Sequence, residues 1–128
     1  MFSKLLVPVD GSDNSFRALN HAIFLSKKIA AQITTLCVME YLPLVYVQSE
    51  RTDKIISKYL EESKNILSKS RGIGKKNGIS IEIELRRGDA ASNIIDYSKK
   101  ENFDTIIMGR RGMGKLNSLY LAALQQKC

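Results

Sequence analysis

The sequence predicts an α/β fold, a parallel sheet covered by helices, and three observations predict it. Short β-branched runs alternate with amphipathic helical stretches in the order β-α-β-α-β-α-β-α. The first run is apolar almost without interruption, as expected of a strand buried on both faces. Acidic or glycine-rich breaks follow the strands and lead into helices. With 128 residues, 44% of them hydrophobic, the chain is expected to form one domain, residues 1–128, with a real core.

Leu5 to Val9 forms the first strand, and Asp10-Gly11-Ser12 breaks it. Ser12 is a good helix N-cap, and Asp13 suits the first turn of the helix that follows. That helix sets Phe16, Leu19, Ala22, Ile23 and Ile29 on one apolar face. Gln32 to Val38 is the second strand. Residues 39–49, interrupted by Pro43, read as an apolar loop or lid, under which Tyr41 and Tyr46 pack. The longest helix runs from about Glu50 to Asn77, with a buried stripe of Ile55, Ile56, Tyr59, Leu60, Ile66 and Leu67. Gly72 and Gly74 weaken its last turns, and Asn77-Gly78 ends it.

Ile79, Ile81, Ile83 and Leu85 alternate with Ser80, Glu82, Glu84 and Arg86, a period of two that places the third strand at a sheet edge. Gly88-Asp89 turns the chain, with Asp89 capping a helix that carries Ile94 and Ile95. Thr105 to Met108 is the fourth strand. A glycine-rich loop begins at Gly109, and Leu116 to Leu124 reads as the start of a last helix.

Composition narrows the function classes. No apolar run approaches the roughly 20 residues that span a bilayer, and Met1 to Asp10 is too soon interrupted for a signal peptide. Cys37 and Cys128 make no disulfide framework, so a reducing cytoplasm is expected. The formal charge of +7 raises the prior for phosphate-rich partners. The lysines are spread rather than blocked, however: Lys54, Lys58, Lys64, Lys69, Lys75 and Lys76 share one helix with Glu61 and Glu62. A solvated face is the expectation, and nucleic acid is not expected as a partner. His21 is the only histidine and lies within the first helix, so neither a histidine-based triad nor a metal cluster is expected.

The most informative stretch is Thr105-Ile106-Ile107-Met108-Gly109-Arg110-Arg111-Gly112-Met113-Gly114-Lys115. Glycines let backbone N–H groups approach a ligand closely, and a following helix would present unpaired donors to phosphate. Arg110, Arg111 and Lys115 bring charge to the same place. The simpler reading is a tight connection with solvated basic residues, and on this loop alone the two stand level. Gly109 to Lys115 fits the first seven positions of a Walker A loop. Leu116 stands where that loop needs a hydroxyl for magnesium, which sets the P-loop aside. Asp10, at the carboxyl end of the first strand, is the second candidate: a carboxylate there can accept hydrogen bonds from ribose or base, or merely cap the turn with Ser12. It lies on the same edge of the sheet as the glycine loop, because both follow strands.

Three segments carry a resemblance. Lys4-Leu5-Leu6-Val7-Pro8-Val9-Asp10-Gly11-Ser12, Gly88-Asp89-Ala90 and Met108-Gly109-Arg110-Arg111-Gly112 together resemble, in order and over nearly the whole chain, the universal stress proteins. The resemblance implies a Rossmann-like αβα sandwich with strand order 3-2-1-4 here. The family's fifth strand, its usual dimer contact, is expected to be missing, because the chain stops at Cys128. Strand 4 would then be an uncovered edge. The resemblance also implies an adenine nucleotide, ATP or AMP, as ligand. Pro8, Val9 and Asp10 would meet base and ribose, and Val38 would meet adenine through its backbone. Met108, Gly109, Arg111 and Gly112 would flank ribose and phosphates, with Gly114 in the same loop. The ATP-binding branch carries G-x-x-G, then nine residues, then G-[S/T]; Gly109 and Gly112 match the first half, and Ala122-Ala123 replace the second.

The expected function is therefore a stress-response regulator that binds an adenine nucleotide, with magnesium left open. The alternative is a member that no longer binds nucleotide and acts through protein contacts. No nucleophile paired with a general base is evident, so at most a slow ATPase is expected, with no catalytic residues. A homodimer is the expected assembly, by a contact that differs from the family's. A receiver domain of two-component signalling has a similar fold but needs an acidic cluster at the first strand, and Asp10 has only Asp13 near it.

Overall fold

A computed structural model describes residues 3–40, 50–109 and 119–123, with side chains for residues 3–40 and 53–109. In chain order the elements are β1 (Lys4–Pro8), α1 (Asp13–Ile29), β2 (Gln32–Met39), α2 (Glu50–Lys76), β3 (Ile81–Arg87), α3 (Ala90–Lys100), β4 (Thr105–Gly109) and β5 (Leu119–Ala123). They build one five-stranded sheet in the order β3-β2-β1-β4-β5. β1 to β4 are parallel, in the expected order 3-2-1-4.

Given that order, the handedness of the crossovers fixes which face of the sheet each helix covers. Right-handed connections from β1 to β2 to β3 set their two helices on one face, and the return to β4 sets its helix on the other. The core divides accordingly. Leu5, Val7, Val9, Ile33, Cys37 and Ile107 pack with Ala18, Leu19, Ala22 and Ile23 of α1 and Leu67 of α2. Leu6, Leu36 and Ile106 face the opposite way, against Phe103 and the half-buried Ile94 and Tyr97. Adjacent residues Leu5 and Leu6 are thus both buried on opposite faces, which is why β1 carries no polar alternation.

The caps read from the sequence form. Ser12 accepts from Ser15 N–H at 3.1 Å and Asp89 accepts from Ser92 N–H at 2.9 Å. β3 is an outer strand, as its alternation implies. The lysines of α2 named above are all exposed, and Lys69 Nζ lies 4.4 Å from the centre of the Phe16 ring.

Two expectations are corrected. Residues 119–123, expected within a helix, form β5, antiparallel to β4, with Leu119 opposite Gly109 and Ala123 opposite Thr105. The fifth place in the sheet is therefore filled, and β4 is not an edge. Only nine residues separate Gly109 from Leu119, too few for the dozen or more that a parallel crossover needs. An antiparallel return needs no crossover helix, and it pairs the backbone groups that β4 would otherwise leave open. The second correction concerns helix faces. Ile29 and Ile55 are exposed, and the buried contacts of α2 include Ser63 and Ser70. These serines satisfy themselves within the helix, donating to Tyr59 O at 3.0 Å and Ile66 O at 3.1 Å. Small hydroxyls let α2 lie close to the sheet. Gly74 also has a packing role, because its bare Cα lets Ile81 pack against the helix: a Cβ there would meet the Ile81 side chain at 2.4 Å.

Candidate functional site

β1 pairs with β2 as far as Pro8, but with β4 only at Leu5 and Leu6. Beyond Leu6 the two central strands part at their carboxyl ends, and Pro8 has no N–H to offer a neighbour. β1 and β4 are where strand order reverses, the place at which open α/β sheets leave a crevice. A cleft of about 200 Å³ lies there. Pro8, Val9 and Asp10 line it from β1 and its exit, Val38 from β2, and Met108 and Gly109 from β4. These six residues, picked out in the sequence, are brought together. Arg111, Gly112 and Gly114 lie outside the described residues, as do the remaining loop residues at 110–118, the segment 41–49 and Cys128.

The turn that leaves β1 is built locally. Val9 N–H donates to Leu36 O at 2.8 Å, holding the chain extended one residue past the strand. The Asp10 carboxylate accepts from Ser12 N–H at 2.9 Å. Between them Gly11 adopts φ +88°, the left-handed region that a side chain disfavours. Asp10 therefore does make the capping contact weighed from the sequence. It is also exposed at the rim of the cleft, so the two roles coexist.

Reading the sequence missed six further lining residues: Ser12, Ser15, Leu36, Glu40, Ala90 and Ile94. Ser12 and Ser15 belong to the start of α1, and Ala90 is the first residue of α3, so two helix N-termini border the cleft. Their positive dipole ends favour negative charge nearby. Against them stand Asp10 and Glu40, both exposed and the only formally charged side chains in the described lining. The floor is apolar, made by the fully buried Leu36 and the half-buried Val38, Ile94 and Met108. Such a site offers an apolar slot for a flat ring, acceptors for hydroxyl or amino groups, and helix ends for an anion. The signal that could have found Ser15 and Ala90 was their place in the first turns after Asp10 and Asp89.

Behind the cleft, on the α2 side of β2, Cys37 is buried at 4% exposure. Burial pushes its thiol above the usual range; a hydrogen bond with Ser63 opposes this, and the negative charge of Asp10 adds to it. A thiol held neutral is a packing group, not a nucleophile. Among the described residues no three metal-ligating side chains cluster, and no helix is long and apolar enough to cross a membrane.

The whole chain, residues 1–128, matches the family model described as Universal stress protein family. It is 30% identical over 128 residues to Universal stress protein MJ0531 of Methanocaldococcus jannaschii, covering 99% of this chain and 75% of that one. A universal stress protein family structure from Burkholderia pseudomallei superposes with a TM-score of 0.75 at 20% identity, covering 85% of this chain and 82% of the other. Another, from Arabidopsis thaliana with AMP bound, gives 0.69 at 18% identity, covering 88% and 80%. With its parallel order 3-2-1-4 and its three matching segments, this chain belongs to the universal stress protein family.

Proposed function

We infer that this chain is a stress-response regulatory protein that binds an adenine nucleotide, AMP in preference to ATP, in the cleft where β1 and β4 part. The observation that carries the reading is the convergence of Pro8, Val9, Asp10, Val38, Met108 and Gly109 on that one cleft. The AMP in the Arabidopsis thaliana relative supports the ligand class. Adenine would lie on Val38, Ile94 and Met108. The ribose hydroxyls would donate to Asp10, and the phosphate would lie toward the start of α1 and the glycine loop, with Arg111, Gly112 and Gly114 as its further contacts.

One feature favours the monophosphate. Ala122 and Ala123, at the positions of the second phosphate-gripping pair, lie opposite Ile106 and Thr105. That is the amino end of β4, roughly 10 to 13 Å along the strand from Gly109 at about 3.3 Å per residue. They are out of reach of a phosphate at the cleft and carry no hydroxyl.

Binding, not turnover, is the proposed activity. The Asp10 carboxylate and the Ser12 hydroxyl are both engaged in local turns, leaving no activated nucleophile in the described lining. Calorimetric titration of the full chain with adenosine, AMP and ATP tests the reading. The expected result is saturable binding, tighter for AMP than for ATP. No saturable signal at millimolar nucleotide would instead support the alternative that Ala122 and Ala123 favour, a regulator that works through protein contacts without nucleotide.

A further inference from the structure

Among the described residues the sheet has two outer strands, β3 and β5. β3 runs seven residues, Ile81–Arg87, and among the described residues pairs on one side only, with β2. An outer strand of that length presents a row of backbone donors and acceptors that another strand can extend. Its side chains divide by face. Ile83 and Leu85 pack toward the α1–α2 core. Glu84 and Arg86 share the opposite face, with Arg86 Nε 3.6 Å from the Glu84 carboxylate and its guanidinium 5.1 Å from the centre of the Tyr97 ring.

Charges on an outer strand ordinarily repel a second strand, so what matters is which registers they permit. Two copies related by a twofold axis normal to the sheet pair antiparallel about a single residue, since facing side chains must share a face. Centring on Glu82, Glu84, Arg86 or Arg87 sets that charge against its own copy. Centring on Ile83 sets Glu82 against Glu84. A register centred on Ile81 pairs almost none of the strand. Leu85 is the remaining centre. There Glu84 faces Arg86 of the second copy, Arg86 faces Glu84, Ile83 faces Arg87, and Glu82 faces Gly88. No like charges meet.

We propose that β3 is a self-pairing edge, through which two copies of this chain join antiparallel about Leu85 into one continuous sheet. The four side chains Glu84 and Arg86 of both copies form a square of alternating sign. The ion pair within each strand is kept and two are added across the join, so the edge admits this register and rejects its neighbours.

Sedimentation equilibrium of the full chain tests this. The unaltered protein should show a reversible monomer–dimer equilibrium. Each of Glu84→Arg and Arg86→Glu changes two symmetry-related pairs from attractive to repulsive and should raise the dissociation constant roughly tenfold or more. An equimolar mixture of the two variants should dimerise again, because each then faces opposite charges, and the double variant Glu84→Arg/Arg86→Glu should recover the parent constant. The proposal is overturned by a monomer at all concentrations, or by a dimer indifferent to both single variants, which would place the contact elsewhere. Single variants that weaken the dimer with no recovery in the mixture overturn it equally, since the loss is then not one of charge register.

Discussion

Gly109 at the end of β4 lies directly against the backbone of Asn14 in the first turn of α1: a Cβ built on it would come within 2.6 Å of the Asn14 carbonyl oxygen and 2.7 Å of its carbonyl carbon. Backbone atoms cannot rotate away as a side chain would. The absence of a side chain at this position thus lets the helix that borders the cleft sit down on the strand that floors it.

Gly109→Ala should therefore destabilise the fold by about 1–3 kcal/mol, the usual cost of overpacking, and loosen the start of α1. Denaturant unfolding should show a lower midpoint with an unchanged slope. A midpoint equal to the parent's would mean that the two elements part freely and that the close approach has no structural weight.

Asp10→Asn retains an oxygen to accept from Ser12 N–H and so should leave the turn and the melting temperature nearly unchanged. It removes the charge that ribose hydroxyls would meet. Affinity for AMP should fall roughly tenfold, since a hydrogen bond to a charged group contributes about 1.5–3 kcal/mol. Unaltered affinity would assign Asp10 to the turn alone.

Asp104 fastens the starts of β1 and β4. Its carboxylate accepts from Ser3 N–H at 2.8 Å, the Ser3 hydroxyl at 3.0 Å and Lys4 N–H at 3.1 Å. Partial burial pushes its acidity down, but these hydrogen bonds outweigh that and hold the carboxyl below its usual range. Asp89, held by Ser92, is shifted the same way. For a carboxyl whose folded value is depressed, the stability it contributes is present above the unfolded value. It is lost as pH falls through the folded one. Stability should thus decline below a pH of about 4, and Asp104→Asn should make that decline shallower. Urea unfolding across pH 2 to 6 checks the slope; parallel curves for the two proteins would remove Asp104 from the acid transition.

Cys37 should resist alkylation in the folded protein at pH 8. With Cys128→Ser as background, labelling should proceed only as fast as the structure opens, and should become complete in denaturant. Because the folded thiol titrates above the unfolded one, stability should also fall as pH rises past roughly 8.5. Rapid native labelling would show that the space between β2 and α2 is open.

The parts of the fold legible in the sequence are those dictated by neighbours along the chain. Ser12 and Asp89 could be recognised as caps because capping is settled within three residues. Leu5 and Leu6 could be recognised as doubly buried because strand faces alternate residue by residue. Ile29 and Ile55 were misjudged because an amphipathic pattern gives a stripe but not its rim, and the width of the contact depends on what lies opposite. Of the six matched cleft residues, Asp10 and Gly109 followed from their places at strand ends and Pro8, Val9, Val38 and Met108 from the family resemblance, whereas Ile94 and Ala90 enter the lining only through the packing of α3 against β2.

By itself, the sequence determined the alternation of strand and helix and the caps, and through its resemblance to the family the parallel order of four strands. Tertiary structure decided that residues 119–123 become a strand, that Gly109 meets Asn14, and that Ser63, Ser70 and Gly74 set how closely α2 approaches the sheet. The physical reason is range. Dihedral preference and periodicity act over a few residues, but an open backbone edge and a gap of one methyl group are satisfied only by whatever distant segment arrives there. Leu119 to Ala123 favours a helix locally, and the unpaired edge of β4 overrides it.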